Sequence, residues 1–240
     1  MTRSLIVLTL NERDGVEHYR DFLSNPPADE VLVVDGGSTD GTVELLQEMG
    51  IRVVTQQRKG RGEAFRCGAA ASSGDYLVFY SPDGNEDPQD VERLFTGLEA
   101  GADMIIASRF LPDSVNEEDG ELLPLRKWVN QIFTFMANTL WNRGRPYVSD
   151  TINGFRGLSR HAFETISPKS YRFTIEYELS IEAMRRGMKI REIATHEGQR
   201  EGGETKAISL PVGIDFVKFF LSKVLEDLRS GGHGLRRRRS

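Results

Sequence analysis

The residues able to do chemistry fall in short segments, each following an apolar run. After residues 76–80 comes Ser81-Pro82-Asp83-Gly84-Asn85, which sets an acid and an amide in one tight turn. Asp83 and Asn85 so spaced can place two oxygens on a hard cation that also grips phosphates. A plain Pro-Asp-Gly turn without a ligand suits the same residues. After residues 31–34 comes Asp35-Gly36-Gly37-Ser38-Thr39-Asp40-Gly41-Thr42. Its glycines let backbone approach a flat ligand, and the Asp35 carboxylate can accept from a nucleobase N–H. The alternative is a glycine turn that caps a helix through Ser38, Thr39 or Asp40. Lys59-Gly60-Arg61-Gly62-Glu63-Ala64 sets two glycines and a guanidinium at a helix start, which can bring N–H groups and Arg61 towards a diphosphate. It matches neither a P-loop nor a full dinucleotide fingerprint.

These segments need elements to position them. Residues 5–10, 31–34, 51–55, 76–80 and 104–107 are short, mostly β-branched runs, as expected of strands covered on both faces. Helices are expected between them. One spans 42–49, with Val43, Leu46 and Met49 on one face and Gly50 after it. Another starts at Pro88 behind an Asp87 cap and carries Val91, Leu94, Phe95 and Leu98 as far as Gly101. Alternation of this kind predicts an α/β fold with a mostly parallel, doubly wound sheet whose ligands collect at the carboxyl ends of its strands. Further on, residues 124–142 read as a helix with Leu125, Val129, Ile132, Phe133, Met136 and Leu140 on one side, broadened by Trp128, Phe135 and Trp141. Residues 172–186 form another, 189–194 a strand, and a last amphipathic helix begins near Pro211. The expected organisation is one catalytic domain over 1–210, an amphipathic helix over 211–229 and a basic tail over 230–240.

A net charge of -5 gives no reason to expect a nucleic-acid partner. Basic character is local, in Arg236–Arg239, as a solvated tail or as an attraction to an anionic membrane surface. The single cysteine, Cys67, rules out an internal disulfide and reads as a buried structural thiol. The four histidines are too far apart in sequence to suggest a metal cluster. The apolar run at 5–8 is too short for a signal peptide, and no stretch approaches a spanning helix. The expectation is a cytoplasmic protein, at most peripheral on a membrane face. The apolar sides of the helices at 124–142 and beyond 211 pack on the protein's own core or a second subunit, as in a homo-oligomer, or lie in a lipid headgroup layer.

The order of the segments carries a family resemblance. Thr9-Leu10-Asn11-Glu12, then Val34-Asp35-Gly36-Gly37-Ser38-Thr39-Asp40-Gly41-Thr42, Gly60-Arg61-Gly62 and Ser81-Pro82-Asp83-Gly84-Asn85 resemble family 2 glycosyltransferases of the GT-A fold. Ser108-Arg109-Phe110, Asp150-Thr151-Ile152-Asn153-Gly154-Phe155-Arg156, Phe173-Thr174-Ile175-Glu176 and Arg200-Glu201-Gly202-Gly203-Glu204-Thr205-Lys206 narrow it to the polyprenyl-phosphate branch, which includes dolichyl-phosphate mannose synthases. The resemblance covers roughly residues 4–208. Three positions depart from the pattern. Ser81 stands where the family's Asp-x-Asp has its first acid, Gly36 where it has the second acid of Asp-Asp-Gly-Ser, and Leu8 where a Pro is common.

The resemblance implies an inverting transfer of a sugar from a nucleotide-sugar donor, GDP- or UDP-linked, to an acceptor, above all a polyprenyl phosphate. Thr9, Asn11, Glu12, Asp35 and Gly36 would hold the nucleoside, with Asp35 facing the base, and Gly60, Arg61 and Gly62 would lie near the nucleotide. Asp83 and Asn85 would hold a divalent metal, Mg²⁺ or Mn²⁺, with the diphosphate. Arg109, Arg126, Arg200 and Lys206 would converge on donor or acceptor phosphates, a task that suits Arg. Arg200 and Lys206 belong to a glycine-rich loop whose closure would cover the donor. A lipid phosphate is already anionic and needs little base catalysis. A hydroxyl acceptor would need a base, for which Asp150 is the candidate, unless Asp150 is a turn residue bonded to the Gly154–Arg156 backbone. A sugar-nucleotide nucleotidyltransferase and a silent nucleotide-sugar binder are the competing readings. The first would carry a glycine-rich, Arg-Lys-containing N-terminal loop in place of Thr9-Leu10-Asn11-Glu12.

Overall fold

The structure, a computed structural model, describes residues 1–115, 125–198 and 209–229. Its elements run β1 (Arg3–Thr9), α1 (Arg13–His18), α2 (Arg20–Ser24), β2 (Glu30–Asp35), α3 (Thr42–Glu48), β3 (Arg52–Thr55), α4 (Arg61–Ala71) and β4 (Tyr76–Tyr80). There follow α5 (Asp90–Glu99), β5 (Met104–Ser108), α6 (Leu125–Trp141), β6 (Arg156–Ser159), α7 (Arg160–Ile166), α8 (Ile175–Arg186), β7 (Ile190–Ala194) and α9 (Ser209–Arg229). The strands form one seven-stranded sheet in the order β3-β2-β1-β4-β6-β5-β7. Only β6 runs against the others, antiparallel to both β4 and β5. The carboxyl ends of β1, β2, β4, β5 and β7 therefore share one edge, and β6 enters from that edge. Strand order reverses between β1 and β4, the place where open α/β sheets leave a crevice.

Packing explains the strand choices. β4 and β5 are buried along their whole lengths. Successive side chains feed two cores, since Ile6, Leu8, Leu77, Phe79, Met104 and Ile106 lie on one face. Leu5, Val7, Val78, Tyr80, Ile105 and Ala107 lie on the other. This is period-2 alternation with both faces covered by helices. α5 buries the expected stripe Val91, Leu94, Phe95 and Leu98, although it starts at Asp90, with Asp87 accepting the Gln89 N–H at 2.9 Å just ahead of it. In α3 the buried pair is Leu45 and Leu46, so Leu45 takes the place expected for Val43. Cys67 is partly buried against the first core, and burial pushes its thiol up.

α6 and α9 pack on α8. Phe216 of α9 lies 5.5 Å from the Phe133 ring and 5.7 Å from the Tyr177 ring. The Trp141 indole donates to Asp227 at 2.5 Å, and Asp227 also pairs with Arg185. Their inner sides thus belong to the protein's own core. Their outer sides are apolar too: Trp128, Ile132 and Phe135 on α6 and Val217, Leu221 and Leu228 on α9 are exposed. Among the described residues no helix is long and apolar enough to cross a membrane.

Candidate active site

The loops after β1 and β2 are stitched into one floor. Asp35, 1% exposed at the end of β2, accepts from the Gly37 N–H at 2.7 Å and the Ser38 N–H at 2.9 Å on one oxygen. Its other oxygen takes the Ser38 hydroxyl at 2.5 Å and the Thr9 hydroxyl at 3.3 Å. Four donors fill the acceptor capacity of a carboxylate. A base N–H at Asp35 therefore has to displace one of them, and the Ser38 hydroxyl is the most easily turned. Asn11 adopts the left-handed conformation (φ 54°). Its side-chain oxygen accepts the Thr39 N–H at 2.8 Å while its own N–H donates to Ser38 Oγ at 2.8 Å. Glu12 donates its N–H to Thr42 Oγ1 at 3.0 Å. Asp40 takes the Thr42 N–H at 3.0 Å and the Arg13 N–H at 3.1 Å, but it stands one residue ahead of the α3 N-cap, which is Gly41 and makes no side-chain cap bond.

α1 then leads this floor to the acid turn. A Cβ at Gly15 would stand 1.8 Å from the Pro82 carbonyl oxygen, so only glycine lets the helix backbone touch the turn after β4. In that turn the Asn85 N–H donates to Asp83 Oδ1 at 3.3 Å, and the Ser81 N–H donates to Glu86 Oε2 at 2.6 Å. Burial and the neighbouring Asp83 charge push Glu86 well above the usual carboxylate range. Gly198 crosses the turn closely: its N–H donates to Asn85 O at 3.0 Å, and a Cβ there would meet Gly84 O at 2.5 Å.

Arg61 faces the same turn from α4. Its guanidinium pairs with Glu176 of α8. Burial works against that charge, but Glu176, Glu86 and Asp83 together raise its pKa. The glycines beside it have a packing role of their own. A Cβ at Gly60 (φ 139°) would lie 1.9 Å from Tyr171 O, and one at Gly62 2.2 Å from Ser170 O. They admit the 170–171 backbone. Gly154 in turn admits Arg61, whose Nη2 would be 1.9 Å from a Cβ at that position.

The end of β5 presents Arg109 to Asp150. Asp150 is 0% exposed. It accepts from Arg109 Nε at 2.7 Å and Nη2 at 3.1 Å, and from the N–H groups of Arg109, Ile152 and Asn153 at 3.3, 3.2 and 3.0 Å. Burial would raise it, but Arg109 and these N–H groups hold it below the usual range. A buried, ion-paired carboxylate of lowered basicity is poorly suited to take an acceptor proton. Asp150 is thus a turn residue, but its backbone partners are Ile152 and Asn153 and not the expected 154–156 segment, and Arg109 is its main partner. Glu192 on β7 braces the pair by accepting the N–H groups of Ser149 and Asp150 at 2.8 and 2.9 Å. Arg109 also faces Glu197 at 3.6 Å, one residue before Gly198.

An arc thus runs from Asp35 and Asn11 through Asp83, Asn85 and Arg61 to Arg109 and Asp150. The α6 backbone includes Arg126, but its side chain, Arg200 and Lys206 lie outside the described residues. Glu86, Glu176, Glu192 and Glu197 were not anticipated as site residues. Glu86 adjoins Asn85 in the same turn, and Glu176 lies inside a quoted motif. Glu192 and Glu197 carry no motif signal.

The model of glycosyl transferase family 2 matches residues 4–167, well over half of the chain. The chain belongs to that family. It is 30% identical over 225 residues to glycosyltransferase AglJ of Haloferax volcanii, covering 90% of this chain and 70% of that protein. A polyprenol monophosphomannose synthase of Mycolicibacterium smegmatis is 29% identical over 222 residues, covering 85% and 80%. The hexosyltransferase Agl6 of Haloferax volcanii is 31% identical over 92% of this chain, which spans only 53% of that relative's length. In fold, the chain is similar to glucosyl-3-phosphoglycerate synthase of Mycobacterium tuberculosis, with a TM-score of 0.74, 23% identity and coverage of 92% of this chain and 79% of that one. That structure is a complex with Mn²⁺, UDP and glucosyl-3-phosphoglycerate. The glycosyltransferase is therefore of GT-A fold, as its strand-end segments imply.

Proposed function

We propose that this family 2 glycosyltransferase moves a sugar, with inversion, from a UDP- or GDP-linked donor to a polyprenyl phosphate. The observation that carries the reading is the meeting of the acid turn, Arg61 and the Asn11–Asp35 floor at the sheet's switch point. A nucleoside fits against Thr9, Asn11, Glu12, Asp35 and Gly36, with its diphosphate directed to Asp83 and Arg61.

Among the described residues no group of three His, Cys, Asp or Glu could hold a metal ion by itself. A metal shared with a substrate diphosphate needs only one or two carboxylates from the protein. The Asp83 carboxylate and the Asn85 amide in one turn fit that need. A bound Mg²⁺ or Mn²⁺ would offset charge on the departing diphosphate. Arg61 lies against the same charge, anchored by Glu176. Arg109, held in orientation by Asp150, would bind acceptor phosphate, and Arg126, Arg200 and Lys206 join it by resemblance. An acceptor that is already anionic requires no base, which agrees with the engagement of Asp150.

The exposed apolar outer sides of α6 and α9 favour a lipid acceptor, since such faces lie in the headgroup layer of a membrane. The test is transfer from UDP- and GDP-sugars to a polyprenyl phosphate in anionic liposomes, beside a soluble phosphorylated acceptor. A solvent-extractable glycolipid is expected, with less of it from a Trp128→Glu, Phe135→Glu variant. Product on the soluble acceptor alone would refute the lipid reading.

A further inference from the structure

We propose that Glu86 supplies the second carboxylate of the metal–diphosphate site, which position 81 leaves to a hydroxyl. The inference rests on the reading of Asp83 and Asn85 as the metal-holding pair. Glu86 closes the turn that Ser81 opens, and its side chain folds back to accept the Ser81 N–H at 2.6 Å. That bond pins a carboxylate at the mouth of the turn and uses one lone pair of one oxygen. Among the described residues it is the hydrogen bond that Glu86 accepts, so Oε1 keeps its acceptor capacity.

Charge points the same way. The turn carries two acidic side chains, Asp83 and Glu86, and Arg61 is among the cations that face it. That guanidinium is already paired with Glu176. Two carboxylates beside an anionic diphosphate repel it unless a divalent cation lies between them. Hard cations choose sites of this composition, in which carboxylate oxygens, an amide oxygen and phosphate oxygens share the shell. Glu86 then adds the negative charge that a single aspartate and a neutral amide lack.

The competing explanation is that Glu86 merely closes the loop. Glu86→Gln separates the two, because the amide oxygen can still accept the Ser81 N–H while the charge is lost. Mn²⁺ would be titrated into the protein with UDP and with GDP, reading free Mn²⁺ by electron paramagnetic resonance and fold integrity by thermal melting. Wild-type protein is expected to bind Mn²⁺ in the presence of one of these nucleotides. Glu86→Gln should weaken that binding by about 10-fold or more at an unchanged melting temperature, and adding Ser81→Asp to Glu86→Gln should restore it. Equal Mn²⁺ affinity in wild type and Glu86→Gln would overturn the role of Glu86 and leave the Asp83 site standing. No Mn²⁺ binding by the wild type with either nucleotide would overturn the metal reading itself, and this inference with it.

Discussion

Replacing Asp150 by Asn tests whether that carboxylate positions Arg109 or removes a proton. The side chain is 0% exposed and accepts five donors, three of them from Arg109. An asparagine oxygen in the Oδ1 place keeps Arg109 Nη2 and the N–H groups of Ile152 and Asn153. Its NH₂ group then confronts Arg109 Nε and the Arg109 N–H, donor against donor, and the ion pair is gone. Removing one partner of a buried pair costs about 3–5 kcal/mol. Arg109 is 15% exposed and has Glu197 at 3.6 Å as a second anion, so the lower end applies, about 3 kcal/mol. For a chain of this size that lowers the melting temperature by about 6–12 °C. Calorimetry measures the melt, and sugar transfer is followed across pH. The expected outcome is a destabilised enzyme with a raised KM for the acceptor and the same pH profile as wild type. A variant that melts like wild type, yet loses turnover together with an ionisation from its kcat profile, would refute the positioning role and restore the base.

Gly154→Ala drives a Cβ to 1.9 Å from Arg61 Nη2, so the guanidinium must leave Glu176. Overpacking of this kind costs about 1–3 kcal/mol; nucleotide affinity by calorimetry should fall by about 10-fold, the loss of one good hydrogen bond to a charged group. Acid should loosen α9. Burial would raise Glu182, but Arg186, Lys223 and Arg185 outweigh it and hold the carboxylate below its ordinary 4.5. Its stabilising contribution is therefore full above pH 4.5 and is lost as pH falls towards the depressed folded value. In a Trp128→Phe background, Trp141 fluorescence should report that release, because the indole donates to Asp227 of α9. A signal unchanged down to the point of global unfolding would contradict it.

The strands of the parallel half were legible because β-branched runs between turn residues have one comfortable home, a sheet covered on both faces. β6 was not. Arg156-Gly157-Leu158-Ser159 holds one aliphatic residue, and its strand depends on a wholly buried Arg156. That guanidinium satisfies itself on Asn153 O at 2.7 Å and Glu176 O at 2.9 Å, and burial lowers its pKa to about 10. A local pattern cannot reveal partners 20 residues away. α4 was half legible: its glycines and small residues were visible, but their reason, the carbonyls of Ser170 and Tyr171, comes from a distant segment. In the site, the turn residues Asp35, Asp83 and Asn85 could be read because turn chemistry is local. The Thr9 hydroxyl that completes the saturation of Asp35, and the capture of Asp150 by Arg109, depend on tertiary neighbours.

Nucleotide binding tests the central claim most directly. UDP, GDP and their sugar conjugates would each be titrated calorimetrically into the protein with Mn²⁺ and again with EDTA. The account predicts saturable binding of one nucleotide series, weakened by EDTA, by Asp83→Ala and by Asp35→Ala. Absence of binding by both series in the presence of Mn²⁺ would contradict it.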